Sequence, residues 1–232
     1  MKNILLIGGS YGIGLAIAQE IQNENNVFVA SRTNENLSGL NVTHIPFDAS
    51  SDILDTSKLP AVIDGLVYCP GSINLRPFKG LKPEAFEIDL QINFISLIKV
   101  IQAVLPNLTA GEQSSIVLFS SVAASMGMPF HTSVAAAKGA IEGFAKALAA
   151  EYAPKIRVNV IAPSLTDTPL ADKFLNNETK QEKSAERHPL KRFGKPEDSA
   201  QMATFLLSDK SSWISGQIFH VDGGMSTLLV NG

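Results

Sequence analysis

Glycines crowd the segment Gly8-Gly9-Ser10-Tyr11-Gly12-Ile13-Gly14, directly after the apolar run Ile4-Leu5-Leu6-Ile7 and directly before Leu15-Ala16-Ile17-Ala18. Between a strand and a helix, such a loop lets backbone approach a pyrophosphate. Glycine tolerates positive φ, and the helix N-terminus offers free N–H groups and a partial positive charge. The pattern predicts a dinucleotide cradle built from Gly8, Ser10, Tyr11, Gly12, Ile13 and Gly14. A second apolar run, Val27-Phe28-Val29-Ala30, ends at Ser31-Arg32-Thr33, where an NAD site usually places an acid for the ribose hydroxyls. Arg32 offers a cation there instead, suited to charge-assisted bonds with a 2′-phosphate, and Ser31 adds a hydroxyl. NADP(H) is therefore the preferred cofactor, and the nearby Glu35 keeps NAD(H) as the less favoured alternative.

These groups need a scaffold, and the rest of the chain supplies one. Short β-branched runs alternate with longer helical patterns from end to end. Strands are expected near Asn3 to Ile7, Val27 to Ala30, Thr43 to Phe47, Asp64 to Cys69, Ser115 to Ser120, Arg157 to Ile161 and Gln217 to Val221. Helices are expected near Gly12 to Glu24, Pro83 to Leu108, Ser133 to Tyr152 and Pro196 to Ser208. Strands that are apolar almost throughout, such as Ile116-Val117-Leu118-Phe119, fit a parallel sheet covered on both faces. The class is α/β: a doubly wound, Rossmann-type parallel sheet of about seven strands, with residues 1–232 forming a single domain. Ligands of such sheets sit beyond the carboxyl ends of the strands, so chemistry is sought there.

Composition narrows the partners. Apolar residues make up 45% of the 232 residues and charged residues 18%, enough for a large core and too apolar for disorder. Lys plus Arg number 19 against 22 Asp plus Glu, with no basic block interleaved with aromatics, so no nucleic acid is expected. The single cysteine, Cys69, excludes an intrachain disulfide and a Cys-rich metal site; no metal is expected. The first seven residues are too short for a signal-peptide core, and no apolar run approaches the ~20 residues of a membrane span. A cytoplasmic location with no membrane partner is the default expectation.

Taken together, these positions resemble the short-chain dehydrogenase/reductase family. Its pattern T-G-x-x-x-G-x-G is met by Gly8, Gly12 and Gly14, with Ile7 in place of the Thr. Gly194-Lys195-Pro196-Glu197-Asp198, Ser215-Gly216-Gln217 and Val221-Asp222-Gly223-Gly224 look like its C-terminal signature, and the resemblance spans essentially the whole chain. It implies that Asp48 binds the adenine amino group and that Asn93 is the structural and catalytic Asn. It also implies that Pro163 and Thr168, in a P-G-x-x-x-T-like stretch with Ser164 replacing Gly, lie by the nicotinamide. Of the family's N-A-G, only Gly71 of Cys69-Pro70-Gly71 remains.

The resemblance also implies a catalytic Y-x-x-x-K preceded by a Ser. Lys138 matches the lysine and Ser121 the serine, but the tyrosine position is Val134. A carbonyl receiving hydride gains negative charge on oxygen, which must be stabilised and protonated, and valine does neither. His131 is the candidate replacement. Positions 131, 134 and 138 share a helix face if the helix reaches back that far; otherwise His131 is a loop residue or only lines the pocket. Tyr11 and Tyr68 are weaker candidates.

The polar stretch 170–193 reads as irregular and is where the family places a substrate lid. Ile73, Met126, Met128, Phe130 and Phe174 offer apolar pocket walls that favour an uncharged substrate. The Ala-rich helix after His131 commonly packs between subunits in the family, implying a homodimer or homotetramer. The expected function is an NADP(H)-dependent oxidoreductase acting on a small-molecule ketone or the matching alcohol. The alternative is an NADP(H)-binding protein without turnover, a redox sensor or inactive subunit.

Overall fold

In the computed structural model, which describes residues 1–230, seven parallel strands form one sheet in the order β3-β2-β1-β4-β5-β6-β7. In chain order they are β1 (Asn3–Ile7), β2 (Asn26–Ser31), β3 (Val42–Pro46), β4 (Gly65–Tyr68), β5 (Ser114–Phe119), β6 (Ile156–Pro163) and β7 (Ile218–Val221). The helices are α1 (Gly12–Ile21), α2 (Pro83–Leu90), α3 (Ser96–Thr109), α4 (Thr132–Tyr152), α5 (Asp172–Leu175), α6 (Glu178–Glu186) and α7 (Pro196–Leu207).

The continuous apolar strands follow from burial on both faces. Successive side chains of a strand point to opposite sides. Leu5 and Ile7 of β1 join one core with Leu66, Tyr68, Ile116 and Leu118, under α3 and α4. Ile4 and Leu6 join the other with Val67, Val117 and Phe119, under α1 and α7. Strand order reverses between β1 and β4, which opens a crevice at their carboxyl ends. Gly8 follows β1 there, and a Cβ on it would lie 3.1 Å from Pro70, just after β4.

Two elements differ from expectation. The long helix expected over 83–108 is broken by a π-helical segment at Gln91–Ile95, which carries Asn93. The stretch 170–193, read as irregular, contains α5 and α6. Its Glu, Lys and Gln residues are good helix formers, and Asn177 caps α6 by accepting a bond from the Lys180 N–H at 3.0 Å. By length and composition alone the helical run Pro83–Thr109, which includes Glu84, Glu87, Asp89 and Lys99, would pass as apolar enough to cross a membrane. Its stripe Leu97, Val100, Ile101, Val104 and Leu108 is buried on the sheet instead.

Candidate active site

The glycine loop after β1 turns into α1 with no side chain capping the helix and no acid in its first turn. The N–H groups of Gly12, Ile13 and Gly14 therefore keep their free orientation. Gly12 has φ +57°, and a Cβ there would sit 3.2 Å from Thr168. A Cβ on Gly14 would lie 2.4 Å from the Gly8 carbonyl oxygen, so only glycine lets the loop fold this tightly. Ser10 is buried, with its hydroxyl 3.3 Å from that of Thr33. Tyr11 is exposed, and its phenol oxygen accepts a bond from Arg32 at 3.3 Å, which holds the guanidinium beside the loop. The Ser31 hydroxyl donates to the Thr33 carbonyl at 2.8 Å rather than toward open space. Asp48 accepts from the N–H and hydroxyl of Ser50 at 2.9 and 2.6 Å, and these bonds hold its carboxyl below the usual range.

Past the loop, a cavity of about 440 Å³ opens at the ends of β4, β5 and β6. Ile13, Gly71, Ser121, His131, Lys138, Pro163 and Thr168 all line it. Lys138 of α4 is 8% exposed, and its Nζ donates to the Phe119 carbonyl at 2.9 Å. Burial pulls the amine down to about 8, while the nearby Cys69 and Asp89 oppose that pull. One ammonium bond is used, so the others are available to a ligand. A Cβ on Gly71 would come within 3.0 Å of Asn93 Oδ1 and 3.2 Å of Lys138 Nζ; glycine leaves the amine uncovered.

Ser121 lies two residues past β5, capping a short 3-10 turn, and its hydroxyl oxygen accepts from the Ala123 N–H at 3.2 Å. Its neighbour Ser120, not Ser121, donates to α4, reaching Glu142 at 2.6 Å. Val134, one turn before Lys138, is buried in the cavity wall. His131 is the N-cap of α4, and its Nδ1 pairs with the Pro129 carbonyl at 2.7 Å. A carbonyl only accepts, so Nδ1 carries the hydrogen and the neutral ring keeps a bare Nε2.

Asn93 is fully buried outside the cavity wall. Its amide donates to the Ser72 hydroxyl and the Asp89 carbonyl, both at 2.8 Å. Ser72 in turn donates to the Asp89 carboxylate at 2.5 Å. The π segment thus anchors the loop carrying Gly71. Tyr68 does not reach the cavity: it is buried and donates to the Ile92 carbonyl at 2.9 Å. Tyr11 is not among the cavity's walls either. Of the expected apolar walls, Ile73, Met128 and Phe174 line it, whereas Met126 and Phe130 do not.

Sequence reasoning missed Ser72, Asp89 and His188. The first two carried no motif. His188 lines the cavity and lies 2.8 Å from Ser164, whose presence in place of glycine was the available signal. Among the described residues no cluster suited to a metal ion occurs.

The loop, the crevice and the buried lysine fit a nicotinamide dinucleotide by the donors they present. A family profile described as Enoyl-(Acyl carrier protein) reductase matches residues 8–226. The chain is 32% identical to 3-oxoacyl-(acyl-carrier-protein) reductase FabG of Thermotoga maritima, over 97% of each protein. It is 31% identical to 2-(S)-hydroxypropyl-CoM dehydrogenase 3 of Xanthobacter autotrophicus, over 98% of each. Ligand-free aldohexose dehydrogenase of Thermoplasma acidophilum superposes with a TM-score of 0.89 at 26% identity, covering 100% of this chain and 96% of that one. The chain belongs to the short-chain dehydrogenase/reductase family and is an oxidoreductase of that type.

Proposed function

We propose that the protein is an NADP(H)-dependent oxidoreductase that reduces a small ketone or oxidises the matching alcohol. One observation carries this reading: the buried Lys138 amine, bonded once to Phe119, faces the same cavity as Ser121, directly beyond the glycine loop. The relatives' names add support, since 3-oxoacyl groups and hydroxypropyl groups are the two sides of a carbonyl/alcohol pair. Gly8, Gly12, Gly14 and the first N–H groups of α1 would hold the pyrophosphate, Arg32 the 2′-phosphate and Asp48 the adenine. Lys138 and Thr168 would hold the nicotinamide end. When bound, the reduced cofactor supplies hydride. Ser121 polarises the carbonyl, Lys138 contributes positive charge, and Asn93 keeps the Gly71 loop clear of the amine.

Val134 occupies the position of the family's tyrosine, so a non-standard group supplies the proton. It also favours a second reading, a protein that binds NADP(H) without turnover as a sensor or inactive subunit. The segment 170–193, with α5 and α6 on the cavity rim, is proposed as the substrate lid. The test is NADPH oxidation across diketones, quinones and β-keto esters, run with wild type and Lys138→Ala after both are shown to bind cofactor. The oxidoreductase reading expects wild-type turnover that falls at least ~100-fold in the variant. Tight NADPH binding with no wild-type turnover would favour the second reading.

A further inference from the structure

A carbonyl substrate in this cavity needs a group able to release a proton to its oxygen, and apart from the Lys138 ammonium the candidates are hydroxyls, imidazoles and a thiol. Val134 has none, Tyr68 spends its phenol on the Ile92 carbonyl, and Cys69 is pushed up to about 12 by burial. Ser72 gives its hydrogen to the Asp89 carboxylate. Among the described residues lining the cavity, one hydroxyl is bonded to an imidazole. Ser164 Oγ lies 2.8 Å from His188 Nε2.

The pair is built rather than incidental. Ser164 is the first residue after β6; its N–H donates to Val221 at 3.4 Å and its carbonyl accepts from the Thr166 hydroxyl at 3.1 Å. His188 follows α6 and is 3% exposed. Its N–H donates to Ala185 at 3.1 Å, and its ring edge faces Gly223, where an added Cβ would lie 3.7 Å from Cδ2. Most informative is the other ring nitrogen: Nδ1 is 2.7 Å from the Ser184 carbonyl. That carbonyl only accepts, so Nδ1 carries its hydrogen in every protonation state of the bonded ring. All exchange of protons with Ser164 therefore occurs at Nε2. In the neutral ring Nε2 accepts the Ser164 hydrogen. In the imidazolium Nε2–H donates to Ser164 Oγ, and the hydroxyl hydrogen turns free toward the cavity. His131 has the same Nδ1 lock, but its ring stands at the half-exposed start of α4 with no hydroxyl bonded to it.

We propose that Ser164 and His188 are the proton relay of this site, an inference that rests on the oxidoreductase reading above. As hydride from the reduced nicotinamide bonds to the carbonyl carbon, the C=O π pair moves to oxygen. Ser164 gives that oxygen its hydroxyl proton and takes the Nε2 proton of the His188 imidazolium. The carbonyl is reduced to the alcohol, the dinucleotide is oxidised, and His188 is left neutral until solvent reprotonates it. In the alcohol-oxidising direction Ser164 receives the proton and passes it to neutral His188. Both residues also line a second cavity, of about 520 Å³, so the imidazole stands on the partition between the site and a separate cleft.

The experiment has an arm that needs no turnover. Long-range ¹H–¹⁵N NMR of the unliganded protein at alkaline pH should show His188 as the Nδ1–H tautomer, with an Nε2 resonance that moves in Ser164→Ala. An Nε2–H tautomer would overturn the relay whatever the enzyme does. In the kinetic arm, Ser164→Ala and His188→Gln should each lower kcat roughly 100-fold or more, with the Kd for NADPH within about threefold of wild type. Ser164→Thr, which keeps the hydroxyl, should stay within about tenfold. The double variant should be no worse than the poorer single one, as expected of groups acting as a unit. A lower Tm with unchanged kcat in both single variants would make the pair a structural staple and overturn the proposal; loss of kcat in His131→Ala instead would move the donor there. Wild-type protein that binds NADPH but reduces nothing would overturn the oxidoreductase reading and the relay together, and so is distinguishable from failure of the relay alone.

Discussion

Lys138 pays for its position in a measurable way. Burial lowers its amine from 10.5 to about 8, so between those values the unfolded chain binds a proton that the folded chain does not. Wild-type stability therefore rises with pH through that window. Below pH 8 the buried charge weakens the fold by on the order of 3 kcal/mol, and removing the amine frees most of that, less about 1 kcal/mol for the Phe119 carbonyl it leaves unpaired. Thermal melts of Lys138→Met should show a higher Tm than wild type at pH 6–7, with the difference fading as pH climbs through the window. A variant with no advantage at pH 6 would mean the amine is solvated. Val134 makes the complementary expectation. It is 5% exposed and points at the cavity shared by Ser121 and Lys138, so Val134→Tyr should raise diketone reduction about tenfold or more. An unchanged rate in a folded, NADPH-binding variant would show divergence beyond one side chain. At this scale Ser121, Val134 and Lys138 were singled out through the family resemblance. The tautomers of His131 and His188 were not, because they depend on which carbonyl each ring meets.

At the scale of elements, the loops after β1 and β2 act as one device. Tyr11 at the start of α1 accepts a bond from Arg32 after β2, so the cation is held beside the free N–H groups of the helix. Arg32→Ala should weaken NADPH binding at least ~10-fold while leaving NADH binding nearly unchanged, measured by fluorescence titration. Equal weakening of both would refute a role at the 2′-phosphate. The strands were readable because burial on both faces demands uninterrupted apolar residues, and their ends moved by only a residue or two. The π segment was not readable. Nothing local in Gln91–Ile95 requires it; the buried pairing of Asn93 with Ser72 and with the Asp89 carbonyl accompanies it. The α6 helix had a local signal, Asn177 followed by Glu, Lys and Gln residues, that polarity concealed.

At the scale of the whole molecule, α4 turns one face to the sheet and another outward. Ile141, Ala145 and Leu148 are buried, whereas Ala136, Gly143, Ala147 and Ala150 are exposed small residues on the opposite side. A Cβ on Gly139 or Gly143 would meet nothing within 4 Å. We propose that this face of small residues is where two copies of α4 approach closely in the homo-oligomer that the family resemblance implies. Ala147→Glu should shift the protein to a smaller species in light scattering coupled to size exclusion. An already monomeric wild type would remove the proposal.

The sequence by itself determined the parallel sheet and the glycine loop, since each rests on a local pattern: short uninterrupted apolar runs, and a turn that only glycine accepts. Tertiary structure alone decided which distant residues pair in and behind the cavity wall. Ser164 and His188 lie 24 residues apart, and Ser72 and Asn93 21 apart. Each pairing depends on how helices dock at the ends of strands, and that is set by packing over the whole sheet rather than by any short run of residues.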